Sequence, residues 1–268
     1  MMLHRVLLIA LVAILNAVLM PAAESAEVEE LTFKSGDIDL SGTLYLPNVP
    51  PKAGIVIVHG SARADSFRMA ALGELLADRG FAVFTYDKRG IGRSGGSFQD
   101  ADDERAFAVL ASDVVAAFEA FAKHPRIKDA QVGLLGISQG GWVGPLAARR
   151  LSRLAFMVLW SGPVCTVSEE MHFSAKAKRS APVRDHDFDP RKVLSSLSLP
   201  IMWIYGGRDN SIPVELSMAR IEAMIEQGHA NFEFKLFPEQ GHGLDYPTPY
   251  PNGFDFMVAW MSNVTSKQ

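Results

Sequence analysis

The stretch LLGISQGGWVG, residues 134–144, decides how this chain is expected to fold. An apolar run stops at Gly136, Ser138 follows two residues later, and further glycines lead into a pattern that could open a helix. Small residues at such a place indicate either a tight turn or a nucleophile whose hydroxyl is held toward a substrate. The chain has 22 glycines, so a chance match to Gly-x-Ser-x-Gly is plausible, and the surrounding sequence has to decide.

The composition is that of an ordinary globular protein. The 268 residues are 48% hydrophobic and 21% charged, the net charge is −4, and the basic residues are scattered. These values do not favour a nucleic-acid partner or binding to an anionic membrane. Cys165 is the single cysteine, which excludes an intramolecular disulfide and argues against a cysteine-based metal site. His172, His186 and His229 have no metal-like spacing, so no metal ion is expected. No cofactor is expected either.

The N-terminal segment differs from the rest of the chain. A basic start precedes an apolar stretch over residues 6–20, and a proline and small residues follow. This is the order of regions in a secretory signal peptide, and the apolar stretch is short for a membrane span. We therefore expect residues 1–26 to be a signal peptide cleaved within residues 22–26. Residues 27–268 would then form a periplasmic or secreted protein without a membrane span, and an uncleaved anchor is the alternative.

Patterns typical of strands and helices alternate along the rest of the chain. The stretch EVEELTFKSGDIDLSGTLYLP (27–47) predicts an antiparallel hairpin with its turn at residues 35–37. Short apolar runs, typical of strands buried on both faces, follow at residues 53–60, 81–87 and 131–136, and further strands are predicted at residues 156–160, 199–206 and 232–238. Helical patterns cover residues 67–79, 103–123, 139–150, 213–228 and 253–264.

This alternation predicts an α/β fold with a mostly parallel central sheet and helices on both faces. The opening hairpin would extend the sheet as an antiparallel edge. Between Ser161 and Ser198 the alternation breaks down in a polar stretch. We interpret residues 161–198 as a small cap excursion over the C-terminal edge of the sheet, too short to be an independent domain.

The carboxyl ends of the strands are the places where an open α/β sheet binds its ligands. The motif GISQG (136–140) lies at such an end, between a predicted strand and a predicted helix, as a nucleophile elbow requires. The serine of an elbow sits in a strained turn, and a Cβ atom two residues before or after it would clash. The following helix directs free N–H groups and its positive dipole end toward the serine. Ser138 is therefore the candidate nucleophile.

A serine hydroxyl needs a base that a third group holds in place. Asp209 follows a strand end in a glycine-rich loop, and His242 follows the last strand between two glycines. Each residue alone has an ordinary explanation, as a turn aspartate or a surface histidine. In the chain order Ser, Asp, His, each at a strand end, they predict a catalytic triad of Ser138, His242 and Asp209.

The developing oxyanion of an acyl-transfer reaction needs hydrogen-bond donors. The backbone N–H of Gln139, directly after the nucleophile, is one candidate. The loop after the strand at residues 53–60 is the expected source of the other, the backbone N–H of Ser61. We interpret His59 as a structural brace under that loop, and the charged residues 87–89, Asp-Lys-Arg, as a network beside the site.

Five motifs together resemble a known superfamily. They are HGS (59–61), YDKRGIGRSGG (86–96), GISQGG (136–141), GGRDNSIP (206–213) and GHG (241–243). Over roughly residues 30–264 the chain resembles the α/β-hydrolases, and within them bacterial serine esterases of the dienelactone-hydrolase-like or serine-aminopeptidase-like group. Dienelactone hydrolases proper have a cysteine at the elbow, so the serine here does not imply their activity.

The resemblance implies an eight-stranded, mostly parallel sheet and hydrolysis through an acyl-enzyme. It carries over Ser138 as nucleophile, Asp209 as acid and His242 as base. It also carries over the backbone N–H groups of Ser61 and Gln139 as the oxyanion hole.

The resulting expectation is a serine hydrolase of the carboxylesterase type that acts on a small-molecule ester. A small cap leaves little room for a long lipid, which favours short or medium acyl groups. A peptidase or a thioesterase would use the same triad, and a non-catalytic binding protein on the same fold is the alternative from another class. No nucleic-acid partner is expected, and the sequence assigns no oligomeric state.

Overall fold

The computed structural model describes residues 26–98, 100–178, 188–243 and 252–266. The signal peptide expected at the N-terminus lies outside these residues except for its last position. Residues 179–187, a polar part of the expected cap excursion, lie outside them as well.

Within those ranges, eight strands form one sheet. They are β1 (Glu27–Ser35), β2 (Ile38–Leu46), β3 (Gly54–Val58), β4 (Ala82–Tyr86), β5 (Val132–Ile137), β6 (Leu154–Trp160), β7 (Ile201–Gly206) and β8 (Phe232–Phe237). Their order across the sheet is β1-β2-β4-β3-β5-β6-β7-β8. The β1–β2 and β2–β4 pairs are antiparallel and all other pairs are parallel. The predicted sheet with its antiparallel edge is thus confirmed.

Helices cover both faces of this sheet. They are α1 (Ala70–Asp78), α2 (Glu104–Phe121), α3 (Gly140–Ala148), α4 (Val167–Lys178), α5 (Arg191–Leu194), α6 (Val214–Glu226) and α7 (Asn252–Ser266), with a 3₁₀ turn before α1. One buried cluster joins Phe118 of α2, Val143 of α3 and Ile221 of α6, while the other joins Leu76 of α1 and Met257 of α7. In the described part of the chain, no helix has the length and apolar character needed to cross a membrane.

The central strands explain why the sequence contains continuous apolar runs. In β3, Ile55 and Ile57 enter one buried cluster, while Val56 and Val58 enter the other. Successive side chains of a strand point to opposite faces, so a strand covered on both sides has no polar face to alternate with.

The segment between β6 and β7 contains a helix, α4, that the apolar pattern did not predict. Thr166 and Glu169 form a capping box at its start: the Thr166 N–H donates to Glu169 Oε2 at 2.8 Å, and the Glu169 N–H donates to Thr166 Oγ1 at 3.2 Å. Arg220 of α6 then binds both carboxylate oxygens of Glu169 at 2.6 Å. The Thr-x-x-Glu pattern at 166–169 was the sequence signal for this helix, whose apolar periodicity is weak.

Candidate active site

The turn between β5 and α3 holds Ser138 in a left-handed backbone conformation, with φ at +52°. Its N–H donates to the carbonyl of Trp160 at 2.9 Å, and its carbonyl accepts from the N–H of Gly141 at 2.7 Å. A non-glycine residue in this conformation is strained, and such strain is concentrated at functional sites. The sequence-based expectation of a strained elbow at this serine agrees with this geometry.

Close backbone packing explains the two glycines that flank the serine. A Cβ atom on Gly136 would lie 2.8 Å from the carbonyl oxygen of Gly140 and 2.8 Å from a methyl of Leu159. A Cβ atom on Gly140 would lie 2.7 Å from the carbonyl oxygen of Val58 in β3. Neither contact is compatible with a side chain, so the start of α3 can approach β3 and β5 only with glycine at both positions.

The structure brings Ser138, His242 and Asp209 into one hydrogen-bonded chain. His242 Nε2 lies 3.0 Å from Ser138 Oγ, and His242 Nδ1 lies 2.8 Å from Asp209 Oδ2. The serine comes from the β5–α3 turn, the aspartate from the loop after β7 and the histidine from the loop after β8. In this geometry the imidazole can accept the serine proton while the carboxylate stabilises the resulting cation.

The loop after β7 fixes the orientation of the aspartate. Asp209 is buried, and its Oδ1 accepts the N–H groups of Ser211 at 2.8 Å and Ile212 at 3.1 Å. Its Oδ2 is thereby left for His242. A carboxylate held this way selects the imidazole tautomer with its proton on Nδ1, so that Nε2 faces the serine as an acceptor.

Ser161, at the end of β6, is a neighbour of the site that the sequence reasoning did not single out as functional. It is fully buried with φ at +49°, and its Oγ donates to the carbonyl of His242 at 2.6 Å. Its own N–H donates to the carbonyl of Ile204 at 2.8 Å. A serine after an apolar strand has no distinguishing pattern, so the sequence carries no signal for this contact.

The two predicted oxyanion-hole residues, Ser61 and Gln139, line the same cavity as Ser138, which has a volume of about 130 Å³. The loop carrying Ser61 passes close to the nucleophile, because a Cβ atom on Gly60 would lie 3.4 Å from Ser138 Cβ. The remaining wall is mostly apolar, and its other residues are Ala101, Asp102, Trp142, Pro163, Val167, Glu170, Met171 and Ile212.

His59 lies beneath this loop. It is buried, with its ring edge-on to Tyr86 at 4.7 Å between centroids and its Nε2 3.5 Å from Thr85 Oγ1. Burial, reinforced by the ammonium of Lys88, lowers the pKa of His59 to about 3. A neutral, enclosed imidazole suits a brace better than an acid or a base.

The charged residues after β4 contact three neighbouring parts of the fold. Asp87 accepts the N–H of Arg93 at 2.8 Å in its own loop and the N–H of Ser66 at 2.6 Å in the loop after β3. Arg89 binds both carboxylate oxygens of Asp113 in α2, at 2.7 and 2.5 Å. Lys88 instead turns its ammonium inward, toward the loop that carries Ser61.

Comparison with known proteins identifies the family of the chain. A profile of the prolyl oligopeptidase family matches residues 67–268. The uncharacterized peptidase YtmA of Bacillus subtilis is 24% identical over 217 residues, covering 76% of this chain and 81% of that protein. Acyl-coenzyme A thioesterase 1 of Mus musculus is 24% identical over 220 residues, covering 76% of this chain but only 48% of that protein.

Among solved structures, the esterase Pf2001 of Pyrococcus furiosus has a TM-score of 0.69 to this chain. It is 19% identical, with 90% of each chain covered. At this identity the likeness shows the fold alone, and that fold is the α/β-hydrolase fold expected from the motifs.

Proposed function

The chain belongs to the prolyl oligopeptidase family of serine hydrolases, and we propose that it hydrolyses carboxylic esters with short acyl groups through an acyl-enzyme. The observation that carries the proposal is the hydrogen-bonded chain from Asp209 through His242 to Ser138. Ser138, at the end of these hydrogen bonds, lines a cavity where an ester carbonyl can lie beside its hydroxyl.

In the first half-reaction, Ser138 Oγ attacks the ester carbonyl carbon while its proton passes to His242 Nε2. The carbon–oxygen bond that forms places a negative charge on the former carbonyl oxygen, and Asp209 stabilises the imidazolium. Collapse of this intermediate breaks the bond to the alcohol, which leaves with the proton from His242. The acyl group then remains on the serine.

In the second half-reaction, His242 takes a proton from water, and the water oxygen attacks the acyl carbon. The intermediate collapses by breaking the bond to Ser138 Oγ, which recovers its proton from the imidazolium. The carboxylic acid leaves, and the free enzyme is restored.

The proposed oxyanion donors are the backbone N–H groups of Gln139 and Ser61. Both residues line the cavity with Ser138, and Gln139 immediately precedes α3, whose positive end favours an anion. Loss of one such donor costs about 3 kcal/mol of transition-state stabilisation.

The size of the cavity supports a short acyl group. At about 130 Å³ it has room for about four groups of the size of a water molecule. It is thus much smaller than a pocket for a drug-sized or lipid-sized ligand. Acyl groups from acetyl to butyryl fit this volume, with Trp142, Val167 and Ile212 as apolar walls.

The second candidate is the same acyl transfer from an amide or a thioester. The family membership and the relatives named as a peptidase and a thioesterase favour it. All three reactions share the acyl-enzyme, so they differ only in the leaving group that the site accepts.

The test combines labelling with turnover. Wild-type protein is expected to react with a fluorophosphonate probe and to hydrolyse p-nitrophenyl acetate and butyrate, and Ser138→Ala to do neither. Ser266→Ala, which changes an exposed serine at the end of α7, is the control and should behave as wild type. Amides and thioesters of the same acyl groups complete the panel.

Two outcomes contradict the ester proposal. Labelling of Ser138 without ester turnover, but with amide or thioester turnover, assigns the peptidase or thioesterase reaction. Folded protein that is not labelled at all is a binding protein on the hydrolase fold.

We further propose that the protein is exported, because residues 1–26 have the basic, apolar and small-residue order of a signal peptide. Fractionation of producing cells and N-terminal sequencing of the protein test this. A mature protein in the periplasm or medium that starts between residues 22 and 27 is expected. Protein that stays in the cytoplasm with Met1 or Met2 at its start contradicts export.

A further inference from the structure

The ammonium of Lys88 is buried behind the candidate oxyanion hole. The residue follows β4 and is only 5% exposed. Its Nζ donates to the carbonyl of Gly60 at 2.5 Å and lies 3.3 Å from Oε1 of Gln139. Burial of an ammonium is costly unless hydrogen bonds satisfy it. Each of these acceptors belongs to one of the two segments that carry the proposed oxyanion donors.

The contact with Gly60 acts on Ser61 through the peptide bond. The carbonyl of Gly60 and the N–H of Ser61 are parts of one planar peptide unit, and in a trans peptide they point in opposite directions. A cation that holds the carbonyl from behind therefore also fixes the direction of the N–H. Because hydrogen bonds polarise one another, the same contact makes that N–H a stronger donor.

The contact with Gln139 acts on the other donor. The side-chain amide of Gln139 is held at both ends: Oε1 accepts from Lys88, and Nε2 donates to the carbonyl of Ala101 at 3.0 Å. Because its side chain is held, Gln139 cannot rotate freely. This restricts the direction of its backbone N–H, which lies next to Ser138 in the chain. One ammonium thus links the β3 loop to the start of α3.

We propose that Lys88 is a positioning residue that orients both donors of the oxyanion hole and polarises the N–H of Ser61, and that its charge is required for full transition-state stabilisation. This inference rests on the proposed function, since an oxyanion hole has a role only in acyl transfer.

The surroundings of Lys88 make its charge dependent on pH. Burial lowers the pKa of Lys88 to about 8, against the opposing effect of the Asp100 carboxylate. The other charged or titratable groups near it are its chain neighbours Asp87 and Arg89, the buried His59, and Arg63, which lies over the same Phe98 ring. The ammonium is therefore mostly charged at pH 7 and mostly neutral at pH 9, so the rate of acylation should fall across this interval.

Lys88→Met tests the proposal, because it removes the charge and keeps most of the length and apolar volume. Two reactions are followed between pH 6 and 10. The hydrolysis of p-nitrophenyl butyrate gives kcat and KM, and fluorophosphonate labelling of Ser138 gives a rate constant. End-point labelling counts the folded sites, so a loss of folded protein is corrected for. Lys52→Met is the matched control, because Lys52 also donates to a backbone carbonyl, that of Arg79 at 2.9 Å, but far from the site.

We expect Lys88→Met to lower kcat roughly 10- to 100-fold, less than the loss of a whole donor, with KM nearly unchanged. The decline of the wild-type rate near pH 8 should disappear in this variant and persist in Lys52→Met. Lys88→Arg keeps a cation of different shape. At pH 7 its kcat should lie between those of Lys88→Met and wild type, and its kcat should not decline between pH 7 and pH 9.

A Lys88→Met variant with the wild-type rate per labelled site, or with the wild-type decline near pH 8, overturns the proposal. Failure of the ester proposal is a separate result. If wild-type Ser138 is labelled but esters are not hydrolysed, the labelling rates of the three variants still decide the role of Lys88.

Discussion

The hydroxyl of Ser161 donates a hydrogen bond of 2.6 Å to the backbone carbonyl of His242. This contact joins the end of the central strand β6 to the loop after β8, which carries the candidate base. Ser161 is fully buried and has φ at +49°, a conformation that costs a non-glycine residue about 1–3 kcal/mol. The position of the imidazole is thus set by the sheet as well as by its own loop.

Two replacements of Ser161 separate the effect of its hydroxyl from the effect of its backbone strain. Ser161→Ala and Ser161→Gly both remove the donor, but only glycine also relieves the positive φ. We expect both to lower kcat roughly fivefold, because a hydrogen bond of about 1 kcal/mol that positions the base is lost. Glycine should be the more stable of the two in urea unfolding. A glycine variant with wild-type kcat contradicts a positioning role for the hydroxyl.

The carboxylate that orients the imidazole gives a larger expected effect. Asp209→Asn keeps the shape of the side chain and an oxygen for the N–H groups of Ser211 and Ile212, but it removes the charge that faces His242. By analogy with the same change in other triads, kcat should fall about 10⁴-fold. Asp255→Asn, at an exposed ion pair with Arg79, is the control. Steady-state kinetics that give Asp209→Asn more than a tenth of wild-type kcat contradict this assignment.

The close approach of α3 to β3 predicts a stability effect of one methyl group. Gly140→Ala places a Cβ 2.7 Å from the carbonyl oxygen of Val58, and neither backbone can move without shifting the elbow. We expect a loss of about 1–3 kcal/mol in the free energy of unfolding. Gly144→Ala in the same helix meets the flexible thioether of Met157 at 3.2 Å and a methyl of Leu159 at an ordinary contact distance of 3.7 Å, so it should change stability much less. Equal effects in urea unfolding are the contrary result.

The features that can be predicted well from the sequence are those for which only one type of residue is compatible with the local structure. The runs of apolar residues specify buried strands, and the glycines at 136 and 140 specify the elbow, since no other residue fits there. Ser138, Asp209 and His242 lie together because each follows a parallel strand at the same edge.

The features that cannot be predicted from the sequence are those that depend on the direction a side chain takes in the folded protein. A lysine after a strand ordinarily extends into water, and only the assembled fold directs Lys88 toward Gly60. The contact of Ser161 likewise joins the end of β6 to a loop that is distant along the chain. Helix α4 was missed because its buried face is small, although its Thr-x-x-Glu cap was readable.

The cavity beside the nucleophile predicts a change of acyl preference. Met171→Ala removes most of a side chain from its wall and makes room for a longer acyl chain. Each additional buried methylene contributes about 0.8 kcal/mol, so kcat/KM for hexanoate relative to butyrate should rise about fourfold per methylene accommodated. Leu216→Ala, on the exposed side of α6, should leave this ratio unchanged. An unchanged ratio in Met171→Ala shows that the acyl group binds elsewhere.

The ion pair between Arg89 and Asp113 predicts the largest loss of stability. The Asp113 side chain is 1% exposed and the Arg89 side chain 18%, and two hydrogen bonds of 2.7 and 2.5 Å join them. Hydrogen bonding to Asp113 raises the pKa of Arg89 in the folded protein. The ordinary pKa of a guanidinium is already far above neutral, so Arg89 stays charged when Asp113 is removed. Asp113→Ala therefore leaves a mostly buried cation without its carboxylate, and we expect a loss of about 3–5 kcal/mol in urea unfolding.

Apolar replacement of both Asp113 and Arg89 tests how much the ion pair itself stabilises the fold, apart from the destabilisation caused by leaving one charge unpaired. Asp113→Leu combined with Arg89→Met leaves no buried charge, and such replacements are often neutral in other proteins. The double variant should thus be more stable than Asp113→Ala by at least 2 kcal/mol, close to the lower part of the range for an uncompensated buried charge. If the double variant is as unstable as Asp113→Ala, the pair itself stabilises the link between the loop after β4 and α2. Because that loop also carries Lys88, kcat measured on the folded double variant then reports whether this link positions the ammonium.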